Sequence, residues 1–184
     1  MLRDNAELWA AFIVMVMITA LYGSIVFFTR GIPPAGELFG HGMGIIGFVF
    51  MLMTETLYSL RKRSRSVKWG RMSTWLQLHI FTGLVGPYMV LLHSSWKFNG
   101  IAGATTLLTI IIVISGFIGR YIFTRIPRTL DGLEIEGTLS QEALKQARRL
   151  MSLWHTIHIP IGMALFVSAF VHIGAAIYYA TLLK

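Results

Sequence analysis

Apolar residues in this chain run on for twenty or more positions at a time, and polar residues gather between the runs instead of alternating within them. A helix crossing a bilayer needs about 20 such residues. Five runs meet that length, at residues 8–29, 38–60, 74–96, 101–123 and 154–180. Arg30 and the Gly31-to-Gly36 turn, with Pro33 and Pro34, close the first run. That run is longer than the apolar part of a secretory signal and ends in no small-residue cleavage site, so it is expected to stay as a helix. The long polar connection is 126–153, where Thr138 and Gln141 have capping-box spacing ahead of Leu139, Leu144, Ala147 and Leu150. This pattern predicts a short amphipathic helix lying on the membrane surface. The expected fold class is all-α: a single integral membrane domain of five transmembrane helices.

Composition agrees with that assignment and removes several chemistries. Hydrophobic residues make up 55% of the chain, charged residues 13%, and the mean hydropathy is +0.66. Cysteine is absent, which excludes disulfides, iron–sulfur clusters, thiolate zinc sites and covalently attached haem. The net charge of +8 would suggest nucleic acid in a soluble protein. Here five spans send Arg3, Arg61, Lys62, Arg63, Arg65, Lys68, Arg71, Arg120, Arg125, Arg128, Lys145, Arg148 and Arg149 to one side. Only Arg30, Lys97 and Lys184 fall on the other. The positive-inside rule then expects a cytoplasmic N-terminus and an extracytoplasmic C-terminus, with membrane lipid around the chain and anionic lipid near the basic loops. No soluble basic domain remains to bind nucleic acid.

Histidines supply the candidate chemistry. The third span holds His79 and His93, and the fifth holds His158 and His172. Each pair is fourteen positions apart, a rise of roughly 21 Å, and two heptads return the second ring to the face of the first. One span separates the third from the fifth, so both run in the same sense. His79 therefore matches His158 in depth, and His93 matches His172. An imidazole in hydrocarbon is costly unless its nitrogens are occupied. An iron porphyrin between facing histidines would take one nitrogen of each ring, leaving the other for a carbonyl or hydroxyl. Zinc or copper fits less well, because two imidazoles per depth leave the coordination sphere incomplete. Hydrogen bonding between helices is the plain alternative. Gly83 and Gly86 on the third span, the glycines of the second, and Gly103, Gly116 and Gly119 on the fourth would give a macrocycle clearance, although small residues also serve helix packing.

The His-x13-His helices, the glycine-rich span before them and the intervening span resemble the di-haem four-helix core of cytochrome b. They are similar also to the b-type cytochromes that anchor bacterial dehydrogenases and hydrogenases. The resemblance covers residues 38–180. It implies two haem b groups within a four-helix di-haem core, ligated by His79 with His158 and His93 with His172. It also implies a bacterial inner-membrane location. The Pro-Glu-Trp-Tyr motif of quinol oxidation does not occur in this chain, so that reaction does not come with the haems.

Other residues hold second rank. Arg120, deeper than Arg125 and Arg128, is a candidate partner for a haem propionate through its bidentate fork. His41 and His155 stand at span ends, as interfacial residues or as helpers of a quinone or propionate. Glu55 is expected to pair with the adjacent basic loop, with proton delivery to quinone as the other reading. Pro87 should kink the third span between its histidines, and Trp9, Trp69, Trp75, Trp96 and Trp154 suit an interfacial belt.

The expected function is a transmembrane electron-transfer subunit. Bis-histidine iron has no open position and so carries electrons. Its partners would be a cytoplasmic flavin or iron–sulfur subunit, an extracytoplasmic cytochrome c, or quinone. A stand-alone transmembrane reductase of a small acceptor such as ferric iron, and a non-redox scaffold or transporter, are the alternatives.

Overall fold

The computed structural model describes residues 5–63, 70–124 and 141–182. Its five helices are α1 (Ala6–Thr29), α2 (Leu38–Arg63), α3 (Met72–His93), α4 (Gly100–Thr124) and α5 (Gln141–Leu182). Each is long and apolar enough to cross a membrane. The architecture is all-helical among the described residues, and the chain is an integral membrane protein by the length and composition of its helices.

Local chemistry explains where the helices stop. Arg30 takes the left-handed conformation at φ 53°, Gly31 follows, and Pro33 and Pro34 prevent the helix from resuming until Leu38. After His93, Ser95 and Trp96 both adopt positive φ, at 49° and 61°, a conformation that non-glycine residues rarely take. This turn ends α3 before the expected position 96. It is tied across the bundle by the Ser95 hydroxyl, which donates to the Pro33 carbonyl at 2.6 Å. Pro87 lies within α3, and α3 continues through it.

The polar segment before the fifth span differs from expectation. Its described part, residues 141–153, is not a helix of its own. Residues from Gln141 onward belong to α5, a continuous helix of 42 residues. At 1.5 Å per residue this is roughly 63 Å, longer than the ~45 Å of a bilayer with its headgroups. No glycine or proline stands between Gln141 and Ser152, so nothing there breaks the helix into two. Thr138 and Leu139 lie outside the described residues.

α2 packs most closely on α3, and α4 on α5; α1 lies against α3, and α3 touches α4 more lightly. One core forms between the first three helices from Ala11, Met43, Val85, Met89 and Leu92, all nearly inaccessible. Outward positions are apolar as well, including Phe12, Val16, Leu107, Ile114 and Val167, as expected where lipid replaces water as solvent. Among the described residues, α3 and α5 nowhere bring two Cα atoms within 8 Å.

Candidate functional site

The α2–α3 interface holds the two α3 histidines through backbone carbonyls. His79 Nδ1 lies 2.8 Å from the Thr54 carbonyl oxygen. His93 Nδ1 lies 2.8 Å from the Gly40 carbonyl oxygen. A carbonyl only accepts, so both Nδ1 atoms carry hydrogen, and each neutral ring keeps its lone pair on Nε2. That tautomer is the one a metal at Nε2 requires.

Two features of α2 and α3 secure these contacts. The Thr54 hydroxyl is 2.7 Å from that of Thr82, a fully buried side chain, so α2 and α3 are locked at the level of His79. At the other level, an ideal Cβ on Gly44 would stand 2.9 Å from Cγ and Nδ1 of His93. Gly40 and Gly44 are one turn apart: one gives the carbonyl, the other the space.

α4 and α5 build the opposite wall. His158 Nδ1 lies 2.9 Å from the Ser115 hydroxyl, and the His158 ring stacks on Trp154, with centroids 4.5 Å apart and planes inclined by 30°. His172 is half-buried on the same helix.

Across the two walls, His158 lies within electrostatic reach of His79, and His93 within reach of His172. Because the lower-numbered residue of each helix lies within reach of the lower-numbered residue of the other, α3 and α5 run in the same sense. The rings thus form two levels, His79/His158 and His93/His172. His41 of α2 stands beside the second level, its ring centroid 6.4 Å from that of His93. His155 turns back to its own helix, Nδ1 lying 3.0 Å from the Met151 carbonyl oxygen.

Comparison with protein-family models, curated proteins and solved structures returns no match for this chain. What the site can do must therefore be argued from its own side chains.

Several residues singled out by the sequence have other partners. Arg120 does not point toward the histidines. Its Nη1 meets Glu7 Oε1 of α1 at 2.7 Å, and its Nη2 donates to Asn5 Oδ1 at 2.6 Å. The Arg120–Glu7 contact joins the charges without hydrogen-bond alignment, since both Glu7 oxygens and Arg120 Nη1 lack a hydrogen-bond partner. Gly83 and Gly86 also face α2 rather than α5. A Cβ on Gly86 would lie 2.9 Å from the Gly47 carbonyl oxygen, and one on Gly83 would lie 3.2 Å from the Thr54 methyl. These glycines let two backbones approach closely. Glu55 lies within electrostatic reach of His79, while residues 64–69 of its expected basic partner lie outside the described residues. Trp154, expected in the interfacial belt, turns inward onto His158.

The donor set limits what the site could hold. Among the described residues, no three His, Asp or Glu side chains gather around a common point. Each level therefore offers two imidazoles. A metal bound there would need further donors that the described residues do not gather; a porphyrin is one group that would bring four nitrogens. α3 and α5 nowhere bring two Cα atoms within 8 Å among the described residues, and His79 and His93 are held at Nδ1, as the ligands of such a group would be. The residues that would hold it are His79 with His158 and His93 with His172, and the bound iron would supply one-electron chemistry.

Proposed function

We propose that the chain is a transmembrane electron-transfer subunit of the di-haem cytochrome b kind, with one bis-histidine haem b at each histidine level. The observation that carries this reading is the pairing of four membrane histidines across two parallel helices. In three of them, Nδ1 is already taken up by a neighbouring helix. A hydrogen-bonding role alone would not require two matched levels fourteen residues apart on both helices. Iron held by one histidine from each helix would exchange electrons and would not bind oxygen. The two levels stand roughly 21 Å apart along the helices, so the pair spans most of the ~30 Å hydrocarbon layer.

The distribution of Lys and Arg supports a cytoplasmic N-terminus, which assigns the His79/His158 level to the cytoplasmic half. A bacterial inner membrane is the location this reading implies. Electron partners would be redox subunits on the two faces, or quinone in the bilayer.

The test is spectroscopic. Purified protein is expected to show a Soret band, a b-type α band in reduced-minus-oxidised spectra, and two protohaem per chain by pyridine haemochrome. Pure, folded protein that lacks a Soret band, and acquires none when haem is supplied, would remove the reading.

A further inference from the structure

Trp154 is one helical turn before His158, so the two side chains share a face of α5. The indole does more than lie beside the imidazole. Its Nε1 donates to the Ser115 carbonyl oxygen at 2.7 Å and approaches the Ser115 hydroxyl at 3.2 Å. That same hydroxyl is the partner of His158 Nδ1. One turn further along α4, Gly119 has no side chain where the indole sits. An ideal Cβ there would fall 2.2 Å from Cε2 and Cζ2 of Trp154, far inside any permitted contact. Ser115 and Gly119 thus make a seat, and the indole is the part of the seat that faces His158.

His79 and His93 are held by carbonyls fixed in the α2 backbone. His158 has only a hydroxyl, which rotates about its own bond and cannot hold a ring plane alone. The stacked indole supplies that missing restraint.

We propose that Trp154 is a positioning residue that sets the plane of the His158 imidazole, and through it the character of the metal level formed by His79 and His158. The proposal rests on the di-haem reading above. The angle between two axial imidazole planes governs the low-field EPR resonance of ferric low-spin haem, and ligand orientation tunes the midpoint potential. Among the described residues, no indole stacks on His93 or His172, so only one level should respond.

The experiment compares wild type, Trp154→Phe, Trp154→Ala and Gly119→Ala as purified full-length protein. Haem content, EPR spectrum and a redox titration are read for each. Two haems should remain. Trp154→Ala should displace the EPR resonance and midpoint of one haem and leave the other at wild-type values. Trp154→Phe, which keeps a ring over His158 but no N–H, should shift them less. Gly119→Ala retains the tryptophan but forces the indole off its seat, so it should reproduce the alanine effect even where Trp154→Ala fails to assemble. Wild-type signals in Trp154→Ala or Gly119→Ala would overturn the proposal, as would equal shifts of both haems. A wild-type protein without haem fails at the control, and there it is the di-haem reading that falls.

Discussion

Replacing Arg120 by alanine should be among the most damaging single changes in this chain, and replacing both partners of its ion pair should largely reverse the damage. Glu7 and Arg120 meet at 2.7 Å, with side chains only 2% and 11% exposed. Their charge centres are roughly 4 Å apart, which at an effective dielectric constant near 20 corresponds to about 4 kcal/mol of attraction. Arg120→Ala removes that attraction and leaves a carboxylate buried at the end of α1, so a loss of about 3–5 kcal/mol is expected. Glu7→Gln with Arg120→Met removes both charges, and is expected to fall within about 1–2 kcal/mol of wild type because neither desolvated ion remains. The assay is thermal or denaturant unfolding in one mild detergent, run as a double-mutant cycle of Glu7→Gln, Arg120→Met and the pair, with Arg120→Ala measured beside it. Additive effects of the two single changes would refute the argument. They would mean the charges are solvated apart and that α1 is not fastened to α4 by this pair.

Two further predictions concern the histidine levels and their support. His93→Ala or His172→Ala should lower haem content from two to one per chain while preserving the EPR signal of the remaining haem; equal loss of both signals would contradict the cross-helix pairing. Gly44→Val should act on the same level, because the new side chain collides with the His93 ring; overpacking of about 1–3 kcal/mol should appear as weakened haem retention at one level only, read by haem content after gel filtration.

The helices and the two-level arrangement were legible because both follow from periodicity. Long apolar runs specify spanning helices, and fourteen-residue spacing returns a side chain to its face. The parallel course of α3 and α5 followed from counting the spans between them. What escaped were features that depend on which face of a helix meets which neighbour. Gly83 and Gly86 form a small-residue stripe that suits a macrocycle and a close helix equally, and only the position of α2 decides in favour of Gly47. Arg120 has a carboxylate partner on α1, yet Glu7 sits in the first turn of an apolar run and no local pattern links it to a residue on α4. Backbone carbonyls of Thr54 and Gly40 have no sequence signature at all. Trp154 did carry a signal, its four-residue spacing from His158, but a tryptophan near a span end fits an interfacial belt equally well. The amphipathic pattern reads as an element apart from the fifth span, yet no glycine or proline stands between Gln141 and Ser152, and the described residues from Gln141 onward run straight into that span.

The two levels are supported unequally, and on the di-haem reading this asymmetry should set the order in which haem is lost. At the first level, His79 has the Thr54 carbonyl and His158 has Ser115 together with the Trp154 stack. At the second, His93 has the Gly40 carbonyl, whereas the described residues offer His172 no hydrogen bond. A ligand ring without such a partner must be immobilised on binding, and the missing bond is worth about 0.5–1.5 kcal/mol. That corresponds to roughly two- to tenfold weaker retention. Under rising detergent or temperature, the haem at His93/His172 should therefore leave first. Stepwise bleaching of the Soret band, with the surviving haem assigned by comparison with Trp154→Ala, measures the order. Release of the His79/His158 haem first would mean that axial hydrogen bonding is not what holds these groups, and that retention depends instead on the apolar walls around them.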